Sequence, residues 1–130
     1  MAIKISSTTV IDDNKIFLPT NASSTRTAPT ISAGTLTLNL NTATVFDVAL
    51  NANITTLTIS NIQSSGRTSS FILIFTADGT ARSVSWPASF LWPSGSAPSI
   101  TSTNGKKDVF TVFTVDGGTT WQAFISGQNF

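Results

Sequence analysis

Apolar residues in this chain recur at every second position, segment after segment, and nowhere hold an i, i+3, i+4, i+7 pattern for three helical turns. A period of two sends alternate side chains to opposite faces of a strand. In "TLTLNL" (residues 35–40) Leu36, Leu38 and Leu40 share a face, and in "TVFDVAL" (44–50) Phe46, Val48 and Leu50 do the same. "ITTLTIS" (54–60) keeps Leu57 and Ile59 together. Composition agrees, because 22 Thr and 18 Ser make about a third of the 130 residues hydroxyl-bearing. Branched Thr suits a pleated surface, and Ser competes with helical hydrogen bonding. The expected fold is all-β: an antiparallel, jelly-roll-like β-sandwich of about seven to eight strands with an extended N-terminal arm.

The segment "FILIFT" (71–76) is apolar on both faces, as in a central strand covered on each side or one whose second face meets another subunit. Asp78-Gly79 follows, and residues 82–86 read as the return strand of a tight hairpin, since Asp-Gly supplies the positive φ such turns require. "VFTVFTV" (109–115), Asp116-Gly117-Gly118 and residues 121–125 repeat the arrangement with one more glycine. For this second hairpin Val109, Phe113 and Val115 are expected in the core, with Phe110 and Val112 on the opposite face. Between the two hairpins lies "WPASFLWPSGSAPS", whose prolines at 87, 93 and 98 cannot donate to a central ladder, so a long surface loop is expected. Residues 1–33 read as a particle-anchoring arm whose apolar grip is Ile3, Ile5, Val10, Ile11, Ile16, Phe17 and Leu18. Residues 34–130 form the β-sandwich domain.

Catalysis has little to draw on. The chain has no His, Cys or Glu, which removes thiolate metal sites, cysteine nucleophiles and the usual base for a serine nucleophile. No Ser-x-x-Lys spacing replaces that base. Of six aspartates, Asp78 and Asp116 belong to turns, and Asp47 and Asp108 lie in or beside strands. Asp12 and Asp13 lack the spaced oxygen ligands of a calcium loop. No enzyme activity, cofactor or metal is expected. Net charge is +1 with scattered basic residues, so neither nucleic acid nor membrane is an expected partner. No signal peptide is evident, and the densest apolar run, residues 71–75, is far below the roughly 20 residues of a spanning helix.

Trp86 and Trp121 sit at strand ends, where large aromatics seal a core. Trp92 lies in the proline-flanked loop with Phe90 and Leu91, and this cluster is expected to form a contact between copies of the chain. A glycan platform and plain core plugging are the alternatives.

The opening "MAIKISSTTVIDD", the stretch "ISAGTLTLNLNTATVFDVALNANITTLTISN", the loop "SVSWP…WPSG" and the ending "DGGTTWQAFISGQNF" resemble a β-rich family of virion proteins from tailed bacteriophages, especially phages of marine bacteria and cyanobacteria. The resemblance implies a non-enzymatic structural protein of the virion, made and folded in the host cytoplasm. Only residues 18–32 lie between a virion-binding end and a tip, too few for a tail-fibre shaft, so a capsid decoration or cement protein on the head surface is the leading expectation. A tail-fibre, baseplate or other tail-associated protein with possible host-glycan binding is the first alternative, and a free-standing carbohydrate-binding module the second. Expected partners are further copies of the chain, with a trimer as the default, and other virion proteins such as the major capsid protein.

Overall fold

The computed structural model describes residues 3–5, 8–11 and 25–130. Among these residues ten strands run in the order β1 (Ile3–Ile5), β2 (Thr8–Ile11), β3 (Arg26–Thr27), β4 (Thr35–Asn39), β5 (Val45–Leu50), β6 (Thr56–Ser60), β7 (Ser69–Ala77), β8 (Phe90–Leu91), β9 (Lys107–Thr114) and β10 (Trp121–Gly127). Among the described residues the only helix is a single 3-10 turn at Pro93–Gly95. The chain is all-β.

Six strands form one mixed sheet in the order β3-β5-β7-β9-β10-β8, and β4 pairs with β6 in a separate ribbon. Within the six-stranded sheet the expected antiparallel pairing holds only for β7 with β9 and β9 with β10. In contrast, β3 with β5, β5 with β7, β4 with β6 and β10 with β8 are all parallel. Parallel neighbours cannot be joined by a tight turn and need a long crossover. Here each crossover is itself a strand: from β3 to β7 the chain alternates between the two sheets and returns one strand further along each time. A circuit from Arg26 to Val45, or from Thr35 to Thr56, takes roughly twenty residues, as in a short solenoid coil.

The same winding corrects the first expected hairpin. Asp78 does make a turn, accepting a hydrogen bond from Thr80 N (3.0 Å) and pairing with Arg82 Nη2 at 2.6 Å. The Arg82 guanidinium, helped by Thr80 N, holds the Asp78 carboxyl below its ordinary range. Beyond this turn the chain crosses to the other layer, where Val84 makes an isolated parallel bridge with Ile54. The place beside β7 is taken by β9, with Phe71 opposite Val112 and Leu73 opposite Phe110. Eight such pairs outcompete the few that a return strand over 82–86 could make.

One core lies between the large sheet and the β4–β6 ribbon. It takes Leu36 and Leu38 from β4, Leu57 from β6, Phe46, Val48 and Leu50 from β5, and Phe71, Leu73 and Phe75 from β7. Phe110 and Val112 of β9 and Trp121 and Ala123 of β10 extend it. Burial of each large apolar side chain contributes about 1.5–3 kcal/mol. The expected faces of β9 are therefore reversed: Phe110 and Val112 point in, Val115 is exposed, and Val109 and Phe113 are half-buried on the outer side. Run-counting could not separate the faces, because both carry large apolar residues.

Segment 25–33 is tied to this body. Thr25 O accepts hydrogen bonds from Thr44 N and Val45 N, β3 pairs with β5, and Ser32 bridges Thr35. Strands β1 and β2 pair antiparallel with each other, Ile3 opposite Ile11 and Ile5 opposite Thr8. Of the arm residues singled out from sequence, Ile3 and Ile5 lie in β1 and Val10 and Ile11 in β2. Ile16, Phe17 and Leu18, like Asp12 and Asp13, lie outside the described residues.

Candidate assembly surface

The loop cluster resolves into two buried residues and one exposed one. Phe90 and Trp92 belong to the subunit's own core. Trp92 meets Trp86 edge-on at 5.0 Å between centroids and Phe110 at 6.0 Å, and Phe90 stacks on Trp86 at 6.0 Å. These contacts plug the core where β8 lies along β10, with Phe90 opposite Trp121 and Leu91 opposite Gln122. This corrects the intersubunit expectation for Phe90 and Trp92, since a ring packed inside its own subunit is not free to meet a second one. Leu91 alternates outward and is 52% exposed.

Leu91 is one edge of a larger feature, the outer face of the six-stranded sheet. Registry aligns Val45, Ile72, Thr111 and Phe124 in one row across four strands. The next row aligns Ser70, Phe113, Gln122 and Leu91. Phe113 and Phe124, diagonal neighbours, stack with centroids 6.1 Å apart and rings within 9° of parallel. Ile72, Leu91, Val115 and Phe124 are each exposed by roughly 40–50%, and Val45, Ile74, Val109 and Phe113 fill in between them. At roughly 150–200 Å² for a large apolar side chain, the four exposed residues alone present about 300 Å². This is comparable with the largest apolar patch of a typical soluble monomer, a patch that is often functional.

Relief on this face is uneven. A depression of about 270 Å³ is lined by Thr44, Val45, Ser70, Ile72 and Thr111, where short side chains stand beside the Phe113–Phe124 ridge. It shares Thr44 and Ser70 with a second concavity of about 210 Å³ bordered by Asn61, Gln63 and Thr68. A ridge next to a depression is the relief that a packed partner requires. The signal for this surface was present in "FILIFT", whose second apolar face has no covering layer among the described residues. Phe113 was missed because its face of β9 was assigned to the core, and Phe124 was given no place in the sequence reading.

The β9–β10 turn borders the surface and is held by one carboxylate. Asp116 accepts hydrogen bonds from Thr120 Oγ1 (2.6 Å), Thr120 N (3.0 Å) and Thr114 Oγ1 (2.8 Å). These donors, the Thr120 hydroxyl foremost, lower its pKa to about 2. Gly117 and Gly118 take φ of +74° and +86°, so the glycine pair reverses the chain while Asp116 fastens the loop. Asp108, buried at the start of β9, fastens the opposite end by accepting from Thr101 N (2.7 Å), Asn129 N (3.1 Å) and Gln128 Nε2 (3.2 Å). Asp78, Asp108 and Asp116 thus all have structural partners.

The described residues are all-β, and among them no layer covers the outer face of the six-stranded sheet. No family model, no curated protein and no solved structure matches the chain.

Proposed function

We propose that this chain is a non-enzymatic structural protein of a tailed-bacteriophage virion, and that it decorates the head as a capsid cement protein. The observation that carries the reading is the outer face of the six-stranded sheet: a chain with a complete core of its own still exposes Ile72, Leu91, Val115 and Phe124 on a second face. The sequence phrases that resemble virion proteins supply the particle. On this reading the two layers form a β-sandwich whose outer face packs against further copies of the chain, a trimer by default, or against the major capsid protein. Residues 1–33 anchor the subunit through Ile3, Ile5, Val10, Ile11, Ile16, Phe17 and Leu18, and no catalytic group takes part.

Six strands at about 4.8 Å spacing, with roughly 3.3 Å per residue, give this face a footprint on the order of 500–600 Å² before side-chain relief is counted. A stable interface needs about 800 Å² per partner. The face is therefore large enough to dominate such a contact, with its rim or the arm supplying the rest.

Quantitative mass spectrometry of purified virions tests the assignment. Hundreds of copies per particle are expected for a head protein. A few dozen or fewer would favour the tail-fibre or baseplate alternative, and absence from the particle would overturn the virion reading. The alternative of a carbohydrate-binding module draws on the hydroxyl- and amide-lined concavity at Asn61, Gln63 and Thr68.

A further inference from the structure

At the end of the outer face away from Phe113 and Leu91, the surface changes character. Registry places Ala49, Thr76 and Lys107 in one row, and the two short side chains leave a hollow in the sheet. Residues 28–30 wall it on one side, with Ala28 and Pro29 apolar and Thr30 hydroxylated. The concavity is about 430 Å³, within the range of small-molecule sites.

Its charges are unbalanced. Asp47 Oδ2 accepts from Arg26 Nη2 at 2.6 Å and from Arg26 Nε at 3.2 Å, and Lys107 Nζ stands 3.7 Å from the same oxygen. Two cations thus share one carboxylate. Arg26 and Lys107 are 61% and 45% exposed, whereas Asp47 is only 14% exposed. The carboxylate orients the cations from beneath, and they keep N–H groups for an incoming anion. Among the described residues Asp47 Oδ1 accepts no hydrogen bond, which leaves an acceptor for a ligand hydroxyl beside the cations. Thr30, Thr76 and Asn51 add donors and acceptors around the rim.

We propose that this hollow binds an acidic sugar, a monosaccharide unit bearing one carboxylate and several hydroxyls, such as a uronic or sialic acid. The carboxylate lies between Arg26 and Lys107, the hydroxyls meet Asp47 Oδ1, Thr76 and Asn51, and the apolar ring face rests on Ala49 and Pro29. A simple anion would use the cations but not the acceptor or the apolar floor. A neutral sugar would leave the excess positive charge unanswered. The hollow belongs to the polar end of the face proposed for assembly, so binding is measured on the isolated chain as a monomer, where no partner covers it and a failure leaves the assembly reading standing.

The test is a titration of the full chain, followed by backbone amide NMR, with galacturonate, N-acetylneuraminate, galactose and acetate at equal ionic strength. Saturable shifts confined to residues 26, 28, 30, 47–51, 76 and 107 are expected with at least one acidic sugar, and only weak shifts with galactose or acetate. Arg26→Ala and Lys107→Ala should each weaken binding about tenfold, as loss of one charge-assisted hydrogen bond does, with unchanged thermal melts verifying that both variants fold. No saturable shift with either acidic sugar up to 20 mM would overturn the proposal. So would equal binding of acetate, which would mark a general carboxylate contact such as a partner protein's acidic side chain. Equal binding of galactose would overturn it as well.

Discussion

Replacing Gly118 by Ala tests how the second hairpin is built, because the position combines two separate costs. Its φ of +86° lies where an L side chain is strained by roughly 1–2 kcal/mol. A Cβ there would also stand 2.8 Å from Ile62 Cδ1 and 3.4 Å from Trp121 Nε1. Ile62 can turn aside, at about 0.5–1.5 kcal/mol for a side chain pushed from its rotamer. The sum is roughly 1.5–3.5 kcal/mol. Gly105 is the internal control: its φ is +76°, and nothing lies within 4 Å of its Cβ position, so Gly105→Ala carries only the first cost, roughly 1–2 kcal/mol. At about 4 °C per kcal/mol for a domain of this size, Tm should fall by about 6–14 °C for Gly118→Ala and about 4–8 °C for Gly105→Ala. Ile62→Val removes the offending Cδ1, so the Gly118→Ala/Ile62→Val double variant should lose clearly less than the sum of the singles. Equal losses at the two glycines with additive double-variant energies would refute the Ile62 contact. No loss at either would refute the positive-φ turns themselves.

Lowering the pH should weaken the same turn. The Asp116 carboxyl titrates at about 2 when folded against an ordinary 3.8, so its contribution is complete above about pH 4 and is lost as the pH falls toward 2. Asp116→Asn should flatten that part of a Tm-against-pH curve, and an unchanged acid limb would show that the three threonine donors do not act on the carboxylate. Trp92→Ala should cost about 3–5 kcal/mol in chemical denaturation, as for a buried aromatic, while Leu91→Lys should leave stability within about 0.5 kcal/mol. The reverse order would place Trp92 outside the core. On the outer face, Ile72→Glu and Phe124→Glu should shift sedimentation toward monomer or abolish incorporation into the virion, with Tm nearly unchanged. Normal assembly by both variants would remove this face from the proposed interface.

Local order was legible along most of the described chain. Alternation in 35–40, 44–50, 54–60 and 71–76 located β4, β5, β6 and β7, and the Asp-Gly-Gly turn located the β9–β10 hairpin, because these depend on a period of two and on backbone conformations within a few residues. The mid-chain hairpin failed for an instructive reason. Asp78 and Gly79 specify that the chain turns, not which strand receives it, and Val84 crosses to Ile54 while β9 takes the place beside β7. Parallel and antiparallel neighbours show the same alternation, so pairing is decided by which contacts bury the most surface together.

The candidate surfaces divide along the same line. An unusual second apolar face is visible in "FILIFT" itself, and a hydroxyl-rich chain without His, Cys or Glu already narrows the chemistry. That Phe113 and Phe124 stack on the outer face while Phe110 lies inside could come only from the register of β9 between β7 and β10. Likewise Arg26, Asp47 and Lys107 are separated by 21 and 60 positions in sequence and meet only because β3, β5, β7 and β9 lie side by side. Sequence determines locally where strands form and turn. Which side chains share a face is a property of long-range pairing, whose energy is spread over many residues and carried by no single motif.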